Sequence, residues 1–270
     1  QYDVFTHAGP AAAWRAPGNV QGAYGVEQAI DELADELNMD PLALRDVIDK
    51  SEMRKVQRNR GAEKFGWSKR KPAGSDTGPI KKGMGVAQST WPRFVELDST
   101  AEVRIMRGGA VEVRSGVQDI GTGTKTILAQ VVAEELGITP EEVTVRIGDT
   151  VFPDGPSSGG SKVTGSITPA ARNAAYKAKL ELFEQLARKW ETDATKLKAE
   201  NGMIVHMEDA SRKMSFRDAL NGMRTGAIYA SASRSDDYGG FQQPWGLAYD
   251  DLGSVQFAEV TVDTETGFVK

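Results

Sequence analysis

Two segments rich in glycine and hydroxyl residues carry the groups best suited to ligand binding. The first, residues 116–126, has the sequence Gly-Val-Gln-Asp-Ile-Gly-Thr-Gly-Thr-Lys-Thr and lies between an expected strand and an expected helix. Glycines let backbone amides approach an anion, and a helix N-terminus adds partial positive charge. The segment therefore favours a phosphate or pterin ligand, although a tight strand-to-helix turn explains the same residues.

The first segment does not fit an ATP-binding P-loop. Gly116 and Gly121 have the P-loop spacing, but Thr122 occupies the position of the required lysine. Lys125 comes too late in the segment, so nucleoside triphosphate chemistry is not predicted.

The second segment, residues 157–166, reads Ser-Ser-Gly-Gly-Ser-Lys-Val-Thr-Gly-Ser and precedes a long expected helix. Hydroxyls and amides at a helix start suit phosphate, whereas a flexible surface loop is the alternative. Two such segments on neighbouring strand-to-helix connections of one sheet favour a shared anionic ligand.

A third candidate is Arg15, which lies between Trp14 and a Pro17-Gly18 turn. An arginine held there could direct its guanidinium at an oxo or phosphate group. The alternative is a surface arginine or a structural ion pair.

The composition limits what the chain can do. The chain has 270 residues, a net charge of −5 and no cysteine, so disulfides, zinc thiolates, iron–sulfur ligation and cysteine nucleophiles within it are excluded. The negative charge disfavours nucleic acid or an anionic membrane as partner. The two histidines, His7 and His206, are far apart in sequence, so any metal is expected to arrive with its own ligands.

Hydrophobic periodicity and turn residues predict the elements that position these segments. We expect a loop over 1–25, a linker over 50–82 and a loop over 234–251. The expected helices are 26–37, one starting at Asp40-Pro41, 124–136, 168–190 and 215–223. The expected strands are 85–91, 100–106, 111–116, 143–147, 202–207, 227–231 and 255–262.

This order predicts an α+β fold, a two-layer mixed β-sheet with packed helices, plus an N-terminal helical segment. We expect residues 1–82 to form a loop and helical segment and residues 83–270 to form the sheet domain. The hairpin that follows strand 255–262 stops three residues into its return strand, which indicates a fragment of a longer chain.

Several of these segments resemble one family in its own order along the chain. Residues 14–18, 26–34 and 40–45 resemble the segment that molybdenum-binding subunits of the xanthine dehydrogenase/aldehyde oxidoreductase family place beside the metal. Residues 121–123 are similar to the family's Gly-x-Gly pterin loop. Residues 149–164 resemble its second cofactor loop, and residues 257–267 resemble a hairpin that precedes its C-terminal portion.

The resemblance implies a molybdenum cofactor, molybdopterin or its cytosine dinucleotide, whose metal has no protein ligand. It implies a domain fold that binds this cofactor, and hydroxylation of an aldehyde or heteroaromatic carbon with oxygen from water. Electrons would leave through 2Fe-2S clusters to FAD on partner subunits or domains. Arg15 would lie near the metal, and the remaining implied contacts are Ile120, Gly121, Thr122, Gly123, Gly160, Ser161 and Thr164.

The sequence departs from the family pattern in ways that bear on activity. Thr122 stands where the xanthine-oxidising branch has glutamine, and Trp14 and Pro17 imply a differently shaped pocket. The family's catalytic glutamate lies in a glycine-rich segment that this chain lacks, and Glu96, Glu135 and Glu259 are interpreted as structural or solvated. We therefore expect the chain by itself to be inactive. A non-catalytic anion-binding or assembly module of the same fold is the alternative.

Overall fold

The structure is a computed structural model that describes residues 7–9, 12–91, 94–236 and 253–270. The helices are α1 (Asn19–Glu36), α2 (Pro41–Ile48), α3 (Glu52–Phe65), α4 (Thr124–Leu136), α5 (Val163–Trp190) and α6 (Phe216–Asn221). The strands are β1 (Ile80–Thr90), β2 (Thr100–Met106), β3 (Val111–Ser115), β4 (Val143–Ile147), β5 (Leu197–Glu200), β6 (Met203–His206), β7 (Asp209–Ser215), β8 (Ala227–Ser233) and β9 (Gly253–Asp263).

The chain divides into two compact units, one of Gln1–Arg93 with Gly246–Lys270 and one of Phe94–Trp245. The boundary expected after residue 82 lies within the first unit, because β1 pairs antiparallel with β9 along its whole length. The structure therefore places β1 and β9, which lie more than 160 residues apart in sequence, in one unit.

A buried arginine organises the first unit. The guanidinium of Arg45 donates to Glu27 Oε2 at 2.8 and 3.0 Å, to Asp31 Oδ1 at 2.7 Å and to the Val86 carbonyl at 3.0 Å. Glu27 Oε2 also accepts the backbone N–H of Gln88 at 2.9 Å. One side chain thus links α1, α2 and β1, and its buried charge is matched by hydrogen-bonded acids.

Aromatic packing attaches α3 to the two-stranded sheet. The ring of Phe257 on β9 lies 5.4 Å from the ring of Phe65 and 5.7 Å from that of Trp67. Gly61 leaves the room that this ring needs, since a Cβ there would lie 2.3 Å from a Phe257 ring carbon. The Trp67 indole N–H donates to Asp40 Oδ2 at 2.9 Å and connects α2 to the same cluster.

The second unit is built on a four-stranded mixed sheet of order β4-β3-β2-β8. Strand β2 is antiparallel to β3 and β8, whereas β3 and β4 are parallel. Alternate residues of β2 are buried, as a sheet with one covered face requires. This agrees with the predicted α+β class.

Helices α4 and α5 cover one face of this sheet. Small side chains let α5 approach the strands closely, and those with no exposed surface are Ala170, Ala171, Ala174, Ala175 and Ala178. Helix α5 starts at Val163, five residues before the expected start, so that Pro169 lies inside it. Proline has no backbone N–H, so the Gly165 carbonyl, four residues earlier in the helix, receives no hydrogen bond from Pro169. It accepts one from the Arg234 Nε–H at 3.0 Å instead.

A three-stranded antiparallel sheet of order β5-β6-β7 and the short helix α6 complete the second unit. Strand β7 was not predicted, because most of its residues are exposed and no apolar alternation marks it. In the part of the chain that the structure describes, no helix is long and apolar enough to span a membrane.

The expected elements agree with the structure where apolar periodicity is strong. Helix α4 and strands β2 and β4 have the predicted bounds, and Asp40 caps α2 by accepting from Leu42 N at 2.8 Å. The predicted hairpin after β9 is confirmed by the bridge between Val262 and Val269. Most of the loop expected over 234–251 lies outside the described residues.

Two predictions about the first unit were wrong. Helix α1 begins at Asn19 within the expected loop, and α3 occupies the expected linker over 50–82. The buried residue of α3 is Arg58, so this helix has no apolar stripe. Hydrogen-bonded side chains hold it in place, and a search for apolar periodicity therefore misses it. Apolar residues of the expected helix 26–37 remain outward, with Val26, Leu33 and Leu37 each about half exposed or more.

Replacing Arg45 should strongly destabilise the first unit. We expect Arg45→Met to lower the free energy of unfolding by about 3–5 kcal/mol, because Glu27 would remain buried without its counter-ion. Urea unfolding measures this loss, and Arg45→Met combined with Glu27→Gln should recover part of it. The control Lys71→Met removes an exposed partner of Asp76 and should cost at most about 1 kcal/mol. Equal losses in the two single variants would contradict the role given to Arg45.

Candidate functional site

A close backbone approach brings the two glycine-rich segments together in the second unit. Where β3 ends, the Gly116 N–H donates to the Pro153 carbonyl at 2.6 Å. A Cβ on Gly155 would lie 2.3 Å from the Val117 nitrogen and 2.9 Å from the Ser115 Oγ. The connection from β4 to α5 therefore lies directly against the connection from β3 to α4.

A side-chain contact joins the two segments further along. The Ser158 Oγ lies 3.0 Å from the Gln118 Oε1, and the Gln118 amide nitrogen donates to the Gly116 carbonyl at 2.9 Å. The sequence predicted that the two segments converge, and this contact places them side by side.

The first segment is closed by its own carboxylate. Asp119 Oδ1 accepts the backbone N–H groups of Gly121 and Thr122 at 3.0 Å and of Gly123 at 3.3 Å. Asp119 Oδ2 accepts that of Lys125 at 3.2 Å. These bonds, the one from Lys125 above all, hold the pKa of the Asp119 carboxyl below its usual range. The amides predicted to face an anion are thus already bonded within the chain.

The second segment is anchored by Glu96. The Ser157 N–H and hydroxyl donate to the Glu96 carboxylate at 3.1 and 3.0 Å, and Lys162 forms an ion pair with it. This ion pair with Lys162, more than the serine bonds, lowers the pKa of the Glu96 carboxyl. Gly160 and Ser161 follow in left-handed conformations, with φ of 62° and 58°. Backbone of this shape exposes successive peptide groups to one side.

The start of α5 offers donors that the rest of the described chain does not use. No side chain caps this helix, and within the described residues the N–H groups of Val163, Thr164 and Gly165 have no hydrogen-bond acceptor. Thr164 is exposed, so its hydroxyl lies at the surface beside these amides. A helix start of this kind can bind an oxyanion.

An open pocket of about 440 Å³ borders the first segment and is lined by Gln118, Asp119, Lys125, Ile147 and Gly148. It lies where the parallel strands β3 and β4 end, which is the edge at which α/β sheets commonly bind ligands. Ile120 is 70% exposed next to this pocket in sequence.

Arg15 lies just before α1 and belongs to the first unit, whereas both segments belong to the second. Its side chain is exposed. Its predicted place near a metal remains a prediction.

The structure is an α+β domain in which two loops rich in glycine and hydroxyl residues lie side by side, each at the start of a helix. A family model described as a molybdopterin cofactor-binding domain matches residues 60–270, and a second model with the same description matches residues 1–47. The chain therefore belongs to the molybdopterin cofactor-binding domain family.

Similar proteins agree with this family. The chain is 31% identical to the aldehyde oxidoreductase molybdenum-binding subunit PaoC of Escherichia coli K12, over 96% of this chain and 35% of that protein. It is 29% identical to the putative xanthine dehydrogenase molybdenum-binding subunit XdhA of the same strain, over 76% of this chain and 30% of that protein. The chain thus spans about a third of the length of these relatives.

The fold agrees with a solved structure of the reconstituted CO dehydrogenase from Oligotropha carboxidovorans. The TM-score is 0.66 at 19% sequence identity, and the match covers 97% of this chain and 37% of that one. At this identity the likeness supports the fold alone.

The donors of the paired loops fit a molybdopterin. A pterin that carries a phosphate makes two demands on its site. The phosphate needs hydrogen-bond donors, and the flat ring needs backbone that has no side chain in the way. The amides at the start of α5 that have no acceptor within the described residues suit the first need, and Gly121 and Gly123, where a Cβ would meet nothing within 4 Å, suit the second. Within the described residues, no group of three His, Asp or Glu side chains could hold a metal ion.

Sequence reasoning missed the residues that shape these loops. Asp119, Gln118 and the pair of Glu96 with Lys162 were not predicted as part of the site. Asp119 carried a usable signal, because an aspartate two residues before a glycine often accepts nearby backbone N–H groups. The partners of Glu96 lie more than sixty residues away, so no local pattern marks them.

The close approach at Gly155 should not tolerate a side chain. We expect Gly155→Ala to lower the free energy of unfolding by about 1–3 kcal/mol, because the new Cβ would overlap the Val117 backbone. Thermal unfolding checks the loss, and amide NMR signals of Gln118 and Ser158 should shift as the loops separate. At Gly226 a Cβ meets nothing within 4 Å, so the control Gly226→Ala should stay within about 0.5 kcal/mol. A tolerated Gly155→Ala would refute the contact.

Proposed function

We propose that this chain is a cofactor-binding part of a molybdenum hydroxylase that oxidises an aldehyde or an N-heteroaromatic carbon, with water as the oxygen source. The observation that carries the proposal is the pair of loops held side by side, one of which leads into helix-start amides that have no acceptor within the described residues. The family of the chain and the oxidoreductase names of its relatives support the same activity.

The proposed cofactor contacts belong to three places in the sequence. The first loop would meet the pterin through Ile120, Gly121, Thr122 and Gly123. The second would meet the other side of the cofactor through Gly160, Ser161 and Thr164. Arg15 would lie near the metal and direct its guanidinium at an oxygen group there.

When bound, the cofactor supplies the molybdenum centre at which the substrate carbon is oxidised and electrons are accepted. The residues of this chain bind and orient it. Glycines without side chains admit its flat ring, the start of α5 donates to its anionic group, and hydroxyls of Ser161 and Thr164 add neutral donors. We propose an iron–sulfur subunit and a FAD subunit as the partners that carry the electrons away. The word "subunit" in the relatives' names supports this assembly.

Two glutamates that could be considered as catalytic base, Glu96 and Glu135, do not suit that role. Glu96 is ion-paired with Lys162, and Glu135 is ion-paired with Arg172 and Lys179. A base must reach the reacting hydroxyl at hydrogen-bond distance and be able to accept its proton. The ion pair with Lys162 lowers the pKa of the Glu96 carboxyl and makes it a poor proton acceptor, which supports inactivity of this chain alone.

Cofactor content tests the proposed function directly. Purified from a host that makes molybdenum cofactor, the full-length protein should contain molybdenum and pterin in near-equal amounts, measured by elemental analysis and by pterin fluorescence after oxidation. Thr164→Val should lower retention of the cofactor about tenfold through loss of a charge-assisted hydrogen bond. The exposed control Thr144→Val should leave it unchanged. Full-length protein that never carries molybdenum or pterin would support a non-catalytic anion-binding or assembly module instead.

Activity of the isolated chain is a separate test. We expect the 270-residue chain to show no oxidation of an aldehyde or a purine with a dye as electron acceptor, because it offers no free glutamate in a matching motif. The full-length protein assayed in parallel is the positive control. Turnover by the short chain would overturn this expectation but leave the cofactor proposal standing.

A further inference from the structure

Asp119 occupies the amides at the start of α4. Its two carboxylate oxygens accept four backbone N–H groups, those of Gly121, Thr122, Gly123 and Lys125, at 3.0 to 3.3 Å. Gly121 and Gly123 adopt φ of 97° and 78°, which turns their peptide groups toward a common centre. The carboxylate occupies that centre, where a bound anion would otherwise lie.

The two loops of the site therefore differ in electrostatic character. In the first loop the convergent amides are matched by a negative charge that belongs to the protein. In the second loop no side chain caps α5, and its first amides have no acceptor within the described residues. The difference arises from one side chain, since both loops are glycine-rich connections that enter a helix.

A ligand anion at the first loop would meet two obstacles. Its donors are already bonded to Asp119, and its charge would approach the carboxylate of Asp119, which carries a full negative charge at neutral pH. Asp119 lies in the lining of the open pocket beside the loop, so this charge also faces whatever enters that pocket. The uncharged faces of the loop, its glycines and the Thr122 side chain, remain accessible.

We propose that Asp119 is a positioning residue that acts as an internal anion: it holds residues 120–125 in their binding shape and excludes a ligand's anionic group from the start of α4. The loop is thereby reserved for an uncharged part of the ligand. The link to molybdopterin rests on the proposed function, whereas the internal-anion role of Asp119 can be tested without it.

Inorganic phosphate is the probe for the internal anion. In the 270-residue chain, backbone amide NMR signals of Gly121, Thr122, Gly123 and Lys125 should not respond to phosphate. In Asp119→Ala the same four amides lose their acceptor and should respond saturably, with phosphate affinity raised at least about tenfold over the unmodified chain. If Asp119 only stabilised the loop, Asp119→Ala would disorder residues 120–125 without raising the affinity for phosphate.

Two further variants make the test decisive. Asp119→Asn keeps one oxygen for three of the amides, so its loop should stay ordered and its phosphate response should be weaker than that of Asp119→Ala. Asp193 accepts the Thr195 N–H at 2.7 Å in another turn of the same unit, and Asp193→Ala should gain no phosphate response at residues 121–125. A phosphate response at those four amides in the unmodified chain, or none in an ordered Asp119→Ala, would overturn the proposal.

If Asp119→Ala does not fold, a pH titration tests whether the Asp119 carboxylate is the shared acceptor of the four amides. In the unmodified chain the four amide signals should move together as acid protonates Asp119, below the usual aspartate range, and in Asp119→Asn they should not. Independent or absent movement in the unmodified chain would overturn the proposal.

Cofactor content of the full-length protein then separates the two claims. If unmodified protein carries molybdopterin and Asp119→Ala carries much less, both claims stand. If no variant carries cofactor while the phosphate gain is observed, the proposed function fails and the internal anion stands.

Discussion

The arrangement of the site depends on the close approach of two backbone segments, Gly155 against Val117. The parallel pairing of β3 and β4 brings the ends of both strands to one edge of the sheet, and each strand then leads into a helix. With a Cβ at position 155 the two connections would overlap, so a residue without a side chain is required there. This contact fixes the distance between the loops before any ligand is involved, as binding sites generally require.

The rest of the second unit makes that contact rigid. Buried alanines bring α5 close to the sheet, and Arg234 satisfies the carbonyl that Pro169 leaves without its helical partner. The loops therefore extend from a closely packed layer of helix and sheet, whose atoms have little freedom to shift. The first unit uses a different solution, a buried arginine whose hydrogen bonds connect two helices and a strand.

A chain with a net charge of −5 can still bind an anionic cofactor, because local donors outweigh the distant charges at contact distance. The structure concentrates those donors in backbone amides. Lys162, which belongs to the second loop, is paired with Glu96, and the amides of the first loop are paired with Asp119. The amides at the start of α5, which have no acceptor in the part of the chain that the structure describes, are where we propose that an anionic group binds.

Local sequence patterns predict the class of fold, the bounds of the strongly periodic elements and the two loops, because apolar spacing and glycine–hydroxyl clusters are local properties of the chain. They fail for α3, where hydrogen-bonded side chains replace apolar periodicity, and for the first turns of α1, where Gly22, Ala23 and Gly25 favour a loop. Three features follow from the folded arrangement alone: the loops touch, position 155 has no room for a side chain, and Asp119 accepts the backbone N–H groups of the first loop. Those features depend on which distant strands pair and on the direction of each peptide group, and neither is encoded in a local pattern.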